Sequence, residues 1–440
     1  MKVVHGVEAA RDALSVGRRL DLASVPDSFL DTTERVFGER LSPLDTVSRI
    51  IDDVRSKGDH AVRALNLALD GADNEALEVS ATDLDAASDC VDPRVLEAFS
   101  HAAERVRRFH EASKPRDWMD FAAGYGSISR ACESVGVYVP GGSVPLPSTV
   151  LMTAIPARVA GVSEIILCSP ASRNGLSDPT VLAAARIAGV DRVFTIGGAQ
   201  AVAAMAYGTE TVPSVDMVCG PGNVFVTLAK KLVYGDVGID GLYGPTETLI
   251  LADHTANPTL CAADLLAQAE HDPMARPVLL CTSEAFADDV SREVDSRLER
   301  LERGSVARAS VEGQGCIAVI PDLADALEVA NWFAPEHMCL SVEEPWKWVG
   351  AVRNAGALFI GDFSHEVLGD YVAGPSHVMP TSGTARFNSG IGVHTFLKTT
   401  PIIALDDEES IALSDAAAVM ARAEGLTAHA EAAEIRRELR

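Results

Sequence analysis

From about Ser42 to Glu111 apolar residues recur at three- and four-residue spacings, in Val47, Ile50, Ile51 and Val54 and again in Val95, Leu96, Phe99 and Ala102. That period gathers them on one helix face, so the stretch predicts a helical scaffold, and it carries no chemical motif. At Ser134 the rhythm changes. Short β-branched runs, Val135–Val139, Glu164–Cys168, Arg192–Ile196 and Ser214–Val218, alternate with Ala-rich stretches of helical length. Such alternation predicts βαβ units and a parallel sheet. A second α/β region follows from Thr248, with strands expected at Leu249–Ala252, Pro277–Cys281, Cys316–Ile320 and Ala357–Ile360 and helices at Leu260–Glu270, Ala285–Glu302 and Leu323–Trp332. After Pro380 the composition turns to Thr, Ser and Gly, then to a terminal helix expected over Asp415–Arg440. Roughly the first 30 residues and this last segment read as extensions belonging to neither sheet. Heptads and short repeats are absent, and two α/β regions of similar rhythm are compatible with an old duplication.

Three predicted strands end in Gly-rich turns: Val139-Pro-Gly-Gly142, Ile196-Gly-Gly-Ala-Gln200 and Cys219-Gly-Pro-Gly-Asn223. In an open α/β sheet such turns line the crevice where ligands bind. None matches the usual dinucleotide fingerprint, since Gly220-Pro-Gly222-Asn-Val-Phe225 has Phe where the third glycine is needed for close helix packing. Taken alone, they fit a phosphate-bearing ligand or plain tight turns equally well.

Composition narrows the class. The 440 residues, 47% apolar and 23% charged, suit a packed protein of two to three domains. A net charge of −26 argues against nucleic acid and anionic membrane surfaces as partners. Seven Lys stand against thirty Arg, and the acid excess is spread along the chain, a pattern read as adaptation to a salty cytoplasm. The eight cysteines show no CxxC pair and most lie in apolar runs, which fits free thiols in a reducing compartment. Without a signal pattern or an unbroken apolar run of about 18 residues, the expected location is the cytoplasm.

Several short motifs can carry chemistry. Gln268-Ala-Glu-His271 puts two donors three residues apart near the end of a predicted helix, on one face. Read by itself, the pair is a nascent metal site or a surface His beside a polar neighbour. Cysteine is missing from the candidate set, which favours a hard or borderline ion on N and O donors. Ala334-Pro-Glu336-His337 sets a carboxylate beside an imidazole at a strand entrance, a pairing suited to general acid/base work. Gly369-Asp-Tyr-Val-Ala-Gly-Pro-Ser-His377 is a polar loop with one carboxylate and one His, built to close on a ligand or simply to turn the chain. Glu424-Gly-Leu-Thr-Ala-His429 lies in the terminal segment, where a His is ordinarily solvated.

In order along the chain, Val135-Gly-Val-Tyr-Val-Pro-Gly-Gly142, Pro147-Ser-Thr-Val-Leu-Met152, Gly197-Gly-Ala-Gln-Ala201, Gly220-Pro-Gly-Asn223, Gln268-Ala-Glu-His271, Ala334-Pro-Glu-His337, Gly369-Asp-Tyr371 and Leu426-Thr-Ala-His429 resemble the histidinol dehydrogenase family. The resemblance covers nearly the whole chain. It implies a zinc-dependent, NAD-linked enzyme that oxidises L-histidinol to L-histidine through an aldehyde in two hydride transfers. Carried over motif by motif, the ligands of one zinc per subunit would be Gln268, His271, Asp370 and His429. Glu336 and His337 would be the acid/base residues, and Tyr138, Gln200 and Asn223 would contact NAD. Substrate would meet Thr246, Gln268, His271, His337, Asp370, His377, Glu424 and His429. The family's homodimers cross their terminal segments, so Glu424 and His429 would complete the partner's site.

The fold implied is α/β, with two Rossmann-like parallel-sheet domains lacking the standard NAD fingerprint and with small N- and C-terminal helical extensions. The expected division is an extension over 1–26, a first α/β domain over 27–133 plus 247–387 carrying zinc and acid/base residues, a second over 134–246 on the NAD side, and a dimer-crossing tail over 388–440. Two departures touch the substrate pocket. Thr246 follows Gly244-Pro where the family often has Ser, and Ser364-His365-Glu366 stands where Ser-Pro-Glu is frequent, with His365 read as a loop variant. They leave room for a paralogous dehydrogenase of another small polar alcohol, such as a sulfonated diol. A zinc hydrolase with Glu336 activating water, and a non-catalytic interaction protein, are the remaining alternatives.

Overall fold

The computed structural model describes residues 1–16, 27–73, 75–141, 144–172 and 175–438. Gly142 of the first turn, residues 17–26 of the expected extension and the last two residues of the expected terminal helix lie outside them. The chain divides into two compact units, residues 1–113 with 132–396, and residues 114–131 with 397–440.

The larger unit holds two parallel sheets. The five-stranded one has the order Arg192–Phe194, Glu164–Cys168, Ser134–Tyr138, Met217–Cys219, Gly238–Ile239, with the first strand in sequence at its centre. The six-stranded one runs Lys2–His5, Cys316–Val319, Arg276–Cys281, Glu247–Ala252, His337–Ser341, Ala357–Ile360. Strand Glu247–Ala252 is buried at every position, which its run of Leu249-Ile-Leu-Ala252 requires of a strand covered on both faces. Two cores flank this sheet, one around Ile250, Leu265, Leu279 and Val290, the other around Leu249, Leu280, Phe333 and Leu340. Each such side chain contributes roughly 1.5–3 kcal/mol by leaving water.

Two groupings differ from the sequence reading. Lys2–His5 pairs with Cys316–Val319, so the N-terminal residues join a sheet instead of standing outside it. Four residues are too few to show a period; only the open edge of the partner strand makes them a strand. Val47, Ile50, Ile51, Val54 and Leu65 share one core with Phe194, Ile196, Met205 and Val218. The early helices therefore cover the five-stranded sheet, although the sequence grouped them with 247–387. An amphipathic face tells that a helix packs, and leaves open against what.

The smaller unit was not anticipated as a sheet. Leu397–Ile403, Tyr125–Ala131 and Trp118–Asp120 form an antiparallel sheet in that order. Its two helices, Asp407–Ala423 and Thr427–Glu438, pack through Ala418, Ala421 and Ala430. The expected single terminal helix is broken by Gly425, whose φ of 77° is left-handed and closes the first helix.

Candidate active site

Helix Pro258–Ala269 starts with the Asn257 side chain accepting from Thr259 N–H and ends under Gln268, which is 1% exposed. Its C-terminal end delivers Gln268 and His271 to the amino-terminal edge of the six-stranded sheet, where Thr246 precedes one strand and Glu336 another. Ala334, fully buried at the end of helix Leu323–Phe333, has φ 52° and ψ 64°. This left-handed turn in a residue with a Cβ costs about 1 kcal/mol and redirects the chain through Pro335 so that Glu336 and His337 enter the strand. His337 opens strand His337–Ser341, opposite Thr248 on one side and Ala357 on the other.

Glu336 Oε2 accepts from Thr246 Oγ1 at 2.7 Å and from Glu247 N–H at 3.0 Å. His337 Nδ1 meets the Glu247 carbonyl at 3.1 Å, which fixes the proton on Nδ1, and Nε2 lies 3.2 Å from Asp370 Oδ1. The ring stacks on Phe359 at 5.8 Å. Burial raises Glu336 to about 7, against the pull of His337 and its two donors. Burial alone would depress His337, but Glu336, the hydrogen bond to Asp370 and the nearby Glu366 raise it to about 10. The pair is thus a coupled, water-poor acid/base unit whose charges are set by each other.

Asp370 comes from the short helix Glu366–Tyr371, anchored by Glu366, which is fully buried and accepts from Cys339 Sγ at 3.0 Å and from Thr248 Oγ1. Burial raises the Glu366 pKa. In the sequence Glu366 stands out only as part of the Ser364-His365-Glu366 variant, with Val367-Leu368 after it as the one sign of burial. His365 is the N-cap position of this helix. Gln268 Nε2 stands 3.0 Å from Asp370 Oδ2, and Gln268 Oε1 stands 3.0 Å from Thr246 Oγ1. His271 is solvent-accessible yet ringed by protein; desolvation lowers its pKa against the pull of Asp370, favouring the neutral ring that a metal binds. His377 Nδ1 lies 2.7 Å from the Asp370 carbonyl and Nε2 3.3 Å from Thr149 Oγ1. Thr149 is in the first turn of helix Pro147–Ala160, which follows the central strand of the five-stranded sheet. Through this contact the amino edge of one sheet meets the carboxyl edge of the other, a convergence the sequence did not disclose.

Among the described residues no group of three or more His, Cys, Asp and Glu is arranged to hold a metal ion. The donor chemistry nonetheless fits one through Gln268. Thr246 has a single hydroxyl proton, and both Glu336 Oε2 and Gln268 Oε1 are placed to accept it. Turning the Gln268 amide over lets its NH2 donate to Thr246 and faces its oxygen toward Asp370 Oδ2, an oxygen pair that a cation between them stabilises. Gln268, His271 and Asp370 then supply three N/O donors, an incomplete set. Glu424 and His429 are exposed in the second unit, at the join of its two helices.

On the five-stranded sheet the expected cofactor residues gather at the carboxyl edge. Tyr138 is buried, and its hydroxyl accepts from Gly198 N–H at 3.1 Å; burial pushes its pKa up to about 12. Gln200 is 1% exposed, donates to Asn66 Oδ1 and Asp70 Oδ2 at 3.3 Å each, and leaves Oε1 buried without a partner. Asn223 caps helix Val224–Val233, accepting from Phe225 and Val226 N–H. A Cβ on Gly220 would come 2.2 Å from the Tyr138 carbonyl, so only glycine permits this close turn, at φ 112°. Lys230, overlooked in the sequence, forms a buried pair with Asp240 at 2.5 Å and donates to Gly220 O, while Asp240 accepts from Gly220 N–H. An orphaned amide oxygen and glycine-only strand ends fit a nucleotide lying along this edge.

A glycine-lined strand edge that fits a nucleotide on one sheet, meeting a buried Glu–His pair on the other, marks a two-sheet α/β enzyme. The model of the family described as histidinol dehydrogenase matches residues 38–437. The histidinol dehydrogenase of Deinococcus radiodurans is 48% identical over 99% of this chain and 100% of its own length, and that of Dehalococcoides mccartyi 47% over 98% and 99%. The crystal structure of histidinol dehydrogenase from Elizabethkingia anophelis is similar with a TM-score of 0.91 and 31% identity, over 100% of this chain and 98% of that one. The chain belongs to the histidinol dehydrogenase family, NAD-dependent oxidoreductases that act on an alcohol. The diol-dehydrogenase, hydrolase and interaction-protein readings find no support in these matches.

Proposed function

We propose that this protein oxidises L-histidinol to L-histidine by way of the aldehyde, with two NAD per substrate and one zinc held by Gln268, His271, Asp370 and His429 of the partner subunit. The observation that carries the reading is the wiring of Glu336 and His337 to the donor set, through Thr246 to Gln268 and through Nε2 to Asp370. Held by these residues, zinc would supply positive charge for the substrate's nitrogens, and NAD would supply the hydride acceptor. His337 takes the alcohol proton on Nε2, with Nδ1–H held by the Glu247 carbonyl. Glu336, with a pKa near 7, removes a proton from the water that adds to the aldehyde; Thr246 and Glu247 N–H aim its carboxylate. His377, buttressed by Thr149, and Thr246 line the alcohol pocket, and Tyr138, Gln200 and Asn223 serve the cofactor. Burial of the pair excludes bulk solvent, so the water that reaches the aldehyde is the one Glu336 activates.

A homodimer with shared sites accounts for Glu424 and His429 in the terminal unit. That unit exposes Phe121 at 87% and Ile403 at 78%, apolar surface that a second copy would cover. Eight free cysteines, seven of them buried, suit the cytoplasm. No helix among the described residues is long and apolar enough to cross a membrane. The test is NADH stoichiometry with L-histidinol before and after chelation. Two NADH per substrate, lost on chelation and restored by zinc, is the expected result; a single NADH, or turnover indifferent to chelator, overturns the reading.

A further inference from the structure

In the usual dinucleotide fold the first strand leads into the pyrophosphate turn, and an acidic residue at the end of the second strand holds the adenosine ribose. The five-stranded sheet keeps this order, with Ser134–Tyr138 first and Glu164–Cys168 second. Its second strand, however, runs out into Cys168-Ser169-Pro170, with no carboxylate.

A carboxylate reaches the same place from elsewhere. Asp70 ends the π-helical turn Asn66–Asp70, an irregularity common at functional sites. A Cβ on Gly197 would lie 2.8 Å from Asp70 Oδ2 and 2.9 Å from Pro170 Cβ. The carboxylate therefore rests where the ends of the second and third strands converge. It accepts from the Gln200 amide at 3.3 Å, and among the described residues no Lys or Arg pairs with it. Asp70 remains solvent-accessible, although neighbouring protein raises its pKa through desolvation. An accessible carboxylate without a cation, beside a buried amide oxygen without a partner, is short of hydrogen-bond donors.

Building on the proposed NAD site, we propose that Asp70 selects the cofactor: its carboxylate accepts from the adenosine ribose hydroxyls of NAD and repels the 2′-phosphate of NADP. Asp70 thereby does from a separate helical segment what the second strand's own residue does in the usual fold. Gln200 holds the carboxylate in line, and Gly197 lets it approach the backbone. A carboxylate serving only the N-terminal dipole of helix Gly198–Tyr207 would stabilise the fold without distinguishing the two cofactors.

The test is calorimetric titration of the full-length enzyme with NADH and NADPH, without histidinol, for wild type, Asp70→Asn, Asp70→Ser and Gln200→Ala. Losing a charge-assisted hydrogen bond should weaken NADH binding roughly tenfold or more and shrink the NADH-to-NADPH preference at least as much in both Asp70 variants. A preference unchanged in those variants, while Gln200→Ala weakens both ligands, overturns the role of Asp70 and leaves the cofactor site standing. Unchanged NADH binding in all three variants overturns the cofactor site as well. Wild type titrated with an NAD analogue lacking the adenosine 2′-hydroxyl answers the question without any variant: weaker binding than NAD supports the assignment, and equal binding refutes it.

Discussion

Replacing Glu336 by Gln separates the two halves of the reaction. The substitution is nearly isosteric, and the new amide oxygen can still accept from Thr246 Oγ1 and Glu247 N–H, so the local fold should survive. What disappears is a base with a pKa near 7 and a negative charge 3.7 Å from His337 Nδ1. A general base contributes about 10²–10⁴ in rate, or about 3–5 kcal/mol of barrier, and that loss should fall on water addition to the aldehyde. The lost charge acts oppositely on the first oxidation. At an effective dielectric near 20, unit charges about 4 Å apart interact by roughly 4 kcal/mol, an upper figure for the support Glu336 gives protonated His337. Removing it brings His337 down from about 10 toward neutrality and favours the proton-accepting ring. Single-turnover NADH formation from L-histidinol and, separately, from the aldehyde measures both halves. Burst formation of one NADH, followed by a second step slowed at least a hundredfold, is expected. Equal slowing of both halves would refute the assigned division of labour.

The remaining predictions concern stability. Lys230→Met strands the Asp240 carboxylate at a site where the pair is 2% and 0% exposed; urea unfolding should lose about 3–5 kcal/mol, partly recovered in Lys230→Met/Asp240→Asn, and a loss below about 1 kcal/mol would contradict a buried pair. His110 is 1% exposed, has no partner for either ring nitrogen, and is held to about 4 by desolvation and His394. The unfolded chain therefore takes up this proton at higher pH than the folded one. Its contribution is complete above about pH 6.5 and falls by about 2–3 kcal/mol toward pH 4, discounted for the solvent side of His394. His110→Leu should flatten that part of the urea-midpoint profile, and parallel profiles would exclude His110. With a net charge of −26, melting temperature should rise from low to multimolar KCl; an unchanged melt would set aside salt adaptation.

Local chemistry made much of this protein legible. Strands buried on both faces must be continuous apolar runs, which is why Leu249–Ala252 and Glu164–Cys168 announce themselves, and tight strand ends must be glycine, which marks the edge proposed for the nucleotide. The ordered motifs carried the family, and with it the roles expected of Glu336, His337, Gln268 and Asp370. Long-range pairing was beyond the sequence. Lys2–His5 becomes a strand only against Cys316–Val319, and Tyr125–Ala131 only against Leu397–Ile403, because a strand's hydrogen bonds lie outside itself. The same reason hid Glu366 beneath Asp370, the Lys230–Asp240 clamp on Gly220, and Asp70 over Gly197. A side chain's type is written in the chain, but its charge state and partners are set by neighbours on other elements, and folding alone brings those together.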